Sequence, residues 1–360
     1  MLIFNALQTS LNGGIGRYSY ELAKALYKIE EDMKIIIRDV DLEKYDFVAF
    51  EDLIIIYGIN TSKQRNFFEQ FKLPQMIYKQ YPDAIIHFPD SMVPLLCKNP
   101  AVITVHDLAF KSVKGAFTPS STLWKNLITN LSIRKASKII AITNFTKQEI
   151  NKYYPQINDD KIYVVHNGFN NFSFEECKED LIRDEIKKND RDYIFTVSTI
   201  SPRKNIDGLI KAFNLIKDRV DMDLVIAGAN GWMYEEVYKT VERLNIEDRV
   251  RFLGKVNDEE LKHLYKNSKL FSYVSFYEGF GLPPLEAMSF NVPCLVSNVS
   301  SLPEVVGDYA TLVNPYDTEE IAIKMVNCLE NRQEKNYDKH IKRFSWERCA
   351  EETRKVYHLK

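Results

Sequence analysis

Short apolar runs alternate with helix-like segments twice over in this chain, and that alternation is the strongest constraint on its fold. The first series reads as strands at residues 2–7, 34–38, 53–57, 84–88, 101–105, 138–142 and 162–165, with helices at 16–28, 120–134 and 146–153. The second reads as strands at 193–197, 223–227, 250–253, 270–274 and 292–297, separated by helices at 205–217, 234–244 and 259–267. Such alternation implies parallel sheets covered by helices on both faces. Residues 170–192, between the two series, are polar and charged with few apolar positions and mark the boundary. The expected architecture is α/β: two doubly wound, Rossmann-like domains, 1–170 and 171–344, facing across a cleft. Ligands in such sheets sit beyond the carboxyl ends of the strands. The last segment carries Trp346, Cys349, Ala350, Thr353, Val356 and Tyr357 at helical spacing. It is expected to be an amphipathic helix, within 345–360, that could pack back on the first domain.

Composition removes several classes of function. A net charge of −2 over 360 residues lacks the basic excess of a dedicated nucleic-acid binder, so no nucleic-acid partner is expected. No apolar run approaches the ~20 residues needed to cross a bilayer. Met1-Leu2-Ile3-Phe4 reads as a first strand and lacks the basic start of a signal peptide, which points to the cytoplasm. Cys97, Cys177, Cys294, Cys328 and Cys349 are scattered and form no paired motif, as suits a reducing compartment. The histidines show no metal-binding spacing, so no metal is expected.

One string carries the most chemistry: Glu278-Gly279-Phe280-Gly281-Leu282-Pro283-Pro284-Leu285-Glu286. It sets a carboxylate before a glycine-bearing loop and the loop before a helix, whose first positions suit proline. Glycine lets backbone N–H groups crowd onto a ligand, and a helix start favours an anion. Glu286 falls on the first turn of that helix. The string can also be read as a plain strand-loop-helix connection, but its apolar strands on either side make it more specific than two glutamates eight apart. Pro202-Arg203-Lys204-Asn205, after the first strand of the second series, places two cations at a strand's carboxyl end, where they can neutralise a diphosphate or form a solvated turn. Val105-His106-Asp107 puts a histidine at a strand tip, able to donate to a hydroxyl or to stabilise charge. Asn12-Gly13-Gly14-Ile15-Gly16-Arg17 is an imperfect dinucleotide fingerprint, with Ser19 in place of a third glycine and Asp39 in an unremarkable place for the acidic partner; the alternative is a tight strand-to-helix turn. Residues 111–138 contain Lys111, Lys114, Lys125, Arg134, Lys135 and Lys138 and no acid, with Leu123, Trp124, Leu127, Ile128 and Leu131 among them. Such a helix either rests on an anionic membrane surface or packs on the core with a solvated basic face.

Together these residues resemble the GT-B glycosyltransferases of family GT4, also called glycosyl transferase group 1. The likeness covers nearly the whole chain and is strongest from residue 193 to 317. Gly-Gly-Ile-Gly-Arg at 13–17, the His-Asp pair at 106–107, Pro-Arg-Lys-Asn at 202–205 and Ser-Leu-Pro-Glu-Val-Val-Gly at 301–307 look like bacterial mannosyltransferases of O-antigen polysaccharide, which usually use GDP-mannose. The resemblance implies that Arg203 and Lys204 bind the donor diphosphate and Glu278 the transferred sugar. It gives the amides of Phe280, Gly281 and Leu282 to sugar and phosphate, and Glu286 to the ribose. It places His106 near the reacting carbon, Gly14 and Gly16 near phosphate and acceptor, and Lys255 and Val256 at the nucleobase. Many family members carry Gly-Arg where this chain has Ser198-Thr199; phosphate binding then rests on Arg203 and Lys204, and Thr199 is only a neighbouring candidate.

What the resemblance implies about mechanism is retention of anomeric configuration with no metal and no cofactor beyond the nucleotide-sugar substrate. The letters Asp-x-Asp occur at 221–223, but before a strand rather than at the end of one. Four rival readings differ in chemistry. A glycosidase would use Glu278 and Glu286 as an acid and nucleophile pair, yet would leave the phosphate cradle without purpose. A nucleotide-sugar epimerase would need no acceptor. A non-catalytic partner in a polysaccharide assembly complex would not need all of Arg203, Lys204, Glu278 and Glu286. A dehydrogenase would need an intact glycine fingerprint.

Overall fold

The computed structural model describes residues 1–8, 14–113, 118–171, 178–187, 191–331 and 336–359. Asn12 and Gly13 of the glycine turn, Lys114, Cys177 and much of the 170–192 stretch lie outside the described residues. The chain divides into two compact units. The first holds Met1–Ser112, Thr118–Gly168 and the terminal stretch from Phe344; the second holds Phe169–Arg343.

Among the described residues, unit 1 is built on a seven-stranded parallel sheet. Its strands are β1 (Leu2–Asn5), β2 (Met33–Arg38), β3 (Leu53–Ile56), β4 (Ile85–Phe88), β5 (Ala101–Val105), β6 (Lys138–Ala141) and β7 (Ile162–Val164). They lie in the order β3-β2-β1-β4-β5-β6-β7. Unit 2 repeats the plan with six strands: β8 (Asp192–Val197), β9 (Met222–Ala227), β10 (Val250–Gly254), β11 (Leu270–Tyr273), β12 (Cys294–Ser297) and β13 (Thr311–Val313), ordered β10-β9-β8-β11-β12-β13. The central strands are buried throughout because helices cover both faces; all five residues of Ala101–Val105 and all four of Leu270–Tyr273 are inside. Both sheets are therefore doubly wound. In each, the strand order reverses once, between β1 and β4 and between β8 and β11, and a crevice opens there beyond the strands' carboxyl ends.

β13 escaped the sequence reading because three residues in an edge position carry too little periodicity to stand out. A helical stretch of three parts also escaped it: Ser62–Phe67, a π turn at Phe68–Lys72, and Leu73–Gln80. Thr61 and Gln64 form a capping box at its start. Pro74 cannot donate an N–H to the helix, which fits the irregular turn just before it.

The terminal helix, Trp346–His358, is capped by Ser345, whose hydroxyl accepts from the Arg348 N–H at 3.1 Å. Trp346, Cys349, Ala350, Val356 and Tyr357 join the same core as Tyr18, Leu22 and Leu26 of the Gly14–Tyr27 helix. Tyr357 also reaches His87 of β4, with its hydroxyl 2.5 Å from Nδ1. Burial pushes His87 down to about 3, so it stays neutral and serves as a structural hydrogen-bonding group. Gly168 ends the first pass through unit 1 at a point where a Cβ would lie 2.5 Å from the Trp346 ring.

Candidate active site at the strand-order reversal of unit 2

The loops after β8 and β11 meet at the reversal point, and they carry the three charged residues singled out in the sequence. Arg203 and Lys204 lie in the short turn Pro202–Lys204, and Glu278 lies in the loop after β11. Lys204 Nζ is 2.6 Å from Glu278 Oε1, and Arg203 Nη1 is 3.0 Å from Oε2. Arg203 also donates to the Tyr277 carbonyl at 2.7 Å. The Tyr273 hydroxyl donates to Glu278 Oε1 at 2.9 Å and accepts from Lys204 at 2.9 Å. Glu278 is only 6% exposed. Burial alone would raise its carboxyl, but the Lys204 and Arg203 charges outweigh that and hold it down to about 2. Two cations and one anion leave the cluster with a formal charge of +1 at neutral pH. An anion brought here meets an electropositive site at the end of a parallel sheet.

Asn205 explains how the cations are held. Its backbone is left-handed, with φ of 53°, and it ends the Pro202–Lys204 turn while starting the Ile206–Ile216 helix. Its buried side chain donates to the Val274 and Pro315 carbonyls at 3.1 and 2.8 Å. The Phe276 N–H donates to the Arg203 carbonyl at 2.9 Å. The two loops are thus stitched together through backbone atoms. Sequence reasoning included Asn205 in its motif without a role and passed over Tyr273. An Asn before a helix reads as a routine cap, and a Tyr at the end of a strand reads as a β-former.

The glycine-bearing loop is fixed by two serines. Ser301 Oγ donates to the Glu278 and Phe280 carbonyls at 2.9 and 3.0 Å, and the Glu278 N–H donates to Ser300 Oγ at 3.0 Å. Gly281 has φ of +99°, and a Cβ there would come within 2.5 Å of Leu302 Cδ2, so only glycine fits. It precedes the Leu282–Ser289 helix, with prolines at its start as the sequence suggests. Phe280 is buried and Leu282 half-buried. Glu286 lies beyond the first turn expected for it, as the fifth residue of that helix, because the helix already starts at Leu282; it is 7% exposed and accepts from the Tyr265 hydroxyl at 2.9 Å. The Tyr265 phenol is pushed well up by burial and by Glu286.

The remaining candidates are spread more widely. Thr199 is exposed in the loop after β8, with its methyl where a side chain on Gly231 would sit. Lys255 and Val256 follow β10, two strands out from β8; the Lys255 carbonyl accepts from Arg183 at 3.2 Å, and Arg183 also pairs with Glu260 at 2.6 Å. Asp221 and Asp223 stand at the amino end of the sheet and pair with Arg191 at 3.3 and 3.6 Å, away from the charged cluster.

In unit 1, His106 follows β5 and is half-buried. Its Nε2 donates to the Pro89 carbonyl at 2.9 Å, and its ring stands edge-on to Tyr18. Burial lowers its pKa. The neutral ring then carries its lone pair on Nδ1 and offers an acceptor rather than the donor suggested by its position. Gly14 opens the Gly14–Tyr27 helix in an exposed position, while Gly16 is buried. Ser19, standing where a dinucleotide fingerprint needs its third glycine, is fully buried.

The description "Glycosyl transferases group 1" matches residues 178–344, and "Glycosyltransferase Family 4" matches residues 12–171. The Escherichia coli O-antigen chain mannosyltransferase B is 31% identical, over 96% of each chain. The chain belongs to the family 4 (group 1) glycosyltransferases. The Salmonella typhimurium O-antigen chain mannosyltransferase RfbU is 27% identical over 91% of each chain. Among solved structures, Anabaena Alr3699/HepE in complex with UDP and glucose aligns with a TM-score of 0.77 at 19% identity, covering 99% of both chains. WaaG, a glycosyltransferase involved in lipopolysaccharide biosynthesis, aligns at 0.67 and 14% identity over 100% of this chain and 96% of its own. The fold is GT-B, and the protein is a glycosyltransferase.

Proposed function

We propose that this glycosyltransferase moves a hexose from a nucleoside diphosphate sugar, mannose from GDP-mannose in the first instance, onto a growing saccharide or lipid-linked glycan during polysaccharide or O-antigen assembly. The observation that carries the donor class is the +1 cluster of Arg203, Lys204 and Glu278 at the carboxyl ends of β8 and β11. A diphosphate suits two cations there, and Glu278 and Glu286 supply acceptors for sugar and ribose hydroxyls. Mannose is favoured by the two mannosyltransferase relatives, and GDP by the family resemblance alone; a UDP- or dTDP-sugar is the alternative, and HepE was solved with UDP.

The reaction is the one the family resemblance implies, and the charged cluster is compatible with it. The bond from C1 of the sugar to the diphosphate oxygen breaks as the bond from C1 to the acceptor oxygen forms on the same face, with retention. The acceptor's proton passes to the departing diphosphate oxygen. Arg203 and Lys204 stabilise the charge that grows on that leaving group, a role often filled by a metal ion. We propose that no metal takes part.

A binding panel of GDP, UDP and dTDP, followed by transfer of labelled mannose from GDP-mannose with and without EDTA, tests the reading. Tight GDP binding and EDTA-resistant transfer with an α-linked product support it. No nucleotide binding, or release of a new free nucleotide sugar without an acceptor, overturns it.

Peripheral attachment at the cytoplasmic face of a membrane is part of the proposal. In the Pro119–Lys135 helix, Ile128, Thr129, Ser132 and Ile133 face inward, while Leu123 (73%), Trp124 (51%) and Leu127 (52%) are exposed. Lys125 is exposed among them, and Lys135 bridges to the Leu95 carbonyl, next to exposed Leu95 and Leu96. Exposed apolar side chains beside a lysine suit an anionic lipid surface. Among the described residues no helix is long and apolar enough to cross a membrane. Sedimentation with phosphatidylglycerol vesicles should pull down the protein, and a Leu123→Ser/Trp124→Ser/Leu127→Ser variant should stay in the supernatant. Equal sedimentation of both removes the helix from any membrane role.

A further inference from the structure

Unit 1 has its own strand-order reversal, between β1 and β4, and a pocket lies beyond it. Its polar lining is Asn5, Gln8, Glu69, Gln70 and Asp90, against an apolar wall that includes Phe88 and Met92. The pocket measures ≈ 280 Å³ with its open mouth included, and its enclosed part has room for about one water-sized group.

Glu69 and Gln70 come from the π turn Phe68–Lys72, which brings two successive polar side chains inside. They are 4% and 8% exposed. Each has one satisfied end: Glu69 Oε1 accepts from Asn5 Nδ2 at 2.8 Å, and Gln70 Oε1 accepts from the Leu95 N–H at 3.2 Å. Each has one unsatisfied end. Among the described residues, Glu69 Oε2 and Gln70 Nε2 are buried and make no hydrogen bond. Arg65 Nε lies 3.5 Å from Glu69 Oε2, close enough for an ion pair but too poorly placed for a hydrogen bond. A buried acceptor and a buried donor, left open together, cost free energy unless a ligand or water fills both. π turns are rare and are often found at functional sites.

The charge of the pocket selects among ligands. Its lining contains two carboxylates, Glu69 and Asp90, and no lysine or arginine. The lining therefore offers a phosphate or carboxylate no cation to pair with. A hydroxyl group, which can both donate and accept, suits a lining that offers a carboxylate and an amide, and the apolar wall suits the C–H face of a sugar ring. We propose that this pocket reads one hydroxyl of the acceptor's terminal hexose, with Glu69 accepting and Gln70 donating. Its ligand class rests on the transferase reading given above, while its geometry is independent of the donor site.

Glu69→Gln and Gln70→Glu reverse the hydrogen-bonding sense of the two open ends without changing side-chain volume. The full chain is titrated, without nucleotide, with methyl α-D-mannoside, glucoside, galactoside and rhamnoside, and with the 2-, 3-, 4- and 6-deoxy forms of the glycoside that binds best. GDP, UDP and dTDP are titrated separately. The expected result is a tenfold or greater rise in hexoside Kd for each variant, with nucleotide Kd within twofold of wild type. One deoxy sugar should bind the wild type weakly and be indifferent to the substitutions. Gln8→Ala, at the half-buried edge of the pocket, gives a smaller loss and guards against misfolding of the buried variants, as does a thermal melt of each. The proposal falls if no hexoside binds a wild-type protein that binds nucleotide, as it would if a structural water satisfies both ends. It also falls if both variants and Gln8→Ala bind the hexoside as wild type does. Failure of nucleotide binding alone strikes the donor reading and leaves the hexoside result to stand by itself.

Discussion

Replacing Lys204 with alanine tests the donor site and its energetics together. Glu278 would ordinarily titrate near 4.5 and here is held down to about 2. That difference corresponds to ~3 kcal/mol of favourable interaction with the ionised carboxylate. Both partners are well buried, with side-chain exposures of 13% for Lys204 and 8% for Glu278, so solvent screening removes little of it. Loss of Lys204 leaves a buried carboxylate with Arg203 as its remaining ionic partner, a change that costs about 3 kcal/mol or more. For a unit of this size, that lowers Tm by roughly 6–12 °C. Adding Glu278→Gln to Lys204→Ala removes the stranded charge, so the double variant should regain most of the lost stability, with a coupling of about 2 kcal/mol. Activity should not return: each single variant and the double variant should lose at least ~10²-fold in kcat/KM. The pH dependence has a definite sign. The folded-state pKa is depressed, so the stabilisation is fully present above about 4.5 and is lost as pH falls towards 2. The gap in stability between wild type and Lys204→Ala is therefore full at pH 7 and closes below about 4.5. Chemical denaturation at pH 7 and at about pH 3, with a transfer assay at pH 7 on all four proteins, decides the matter. Equal stability of Lys204→Ala and the double variant would falsify the buried-pair argument, and near-normal turnover in Lys204→Ala would remove the lysine from the mechanism.

Three further outcomes are expected. Gly281→Ala places a Cβ 2.5 Å from Leu302 Cδ2 at a φ of +99°, and should destabilise unit 2 by roughly 1–3 kcal/mol while weakening nucleotide binding; an unchanged melt refutes the crowding. Asn205→Ala strains a left-handed residue and removes two buried hydrogen bonds, at a cost of roughly 2–4 kcal/mol, whereas Asn205→Gly relieves the strain and should fall between that variant and wild type in thermal melts. Glu286→Gln leaves an oxygen to accept from Tyr265 but removes the charge offered to a ribose, so nucleotide Kd should rise about tenfold, by roughly 1.4 kcal/mol, with Tm little changed; calorimetry showing no rise takes Glu286 out of the site.

Much of the fold was legible because a buried parallel strand must be apolar on both faces and a covering helix must show its 3.6-residue period. Those local demands placed β1–β12 within a few residues, along with the helices that open on Gly14, Ile206 and Leu282. They also placed Arg203, Lys204 and Glu278 at strand ends. Where a residue's role is set by a neighbour far away in the chain, local pattern was silent. That Lys204 and Glu278, 74 residues apart, form a buried ion pair follows from β8 and β11 lying side by side, an order that no local period encodes. The same holds for Asn205 tying two loops together and for the donor hydrogen of His106 being given to Pro89. It holds as well for the π turn that turns Glu69 and Gln70 inward. The sequence by itself determined which segments had to be buried and which chemical groups stand at their ends, since burial and periodicity act within one element. Only the tertiary structure decided which of those groups face one another, because that depends on strand order and on the balance between desolvation and charge at each buried site.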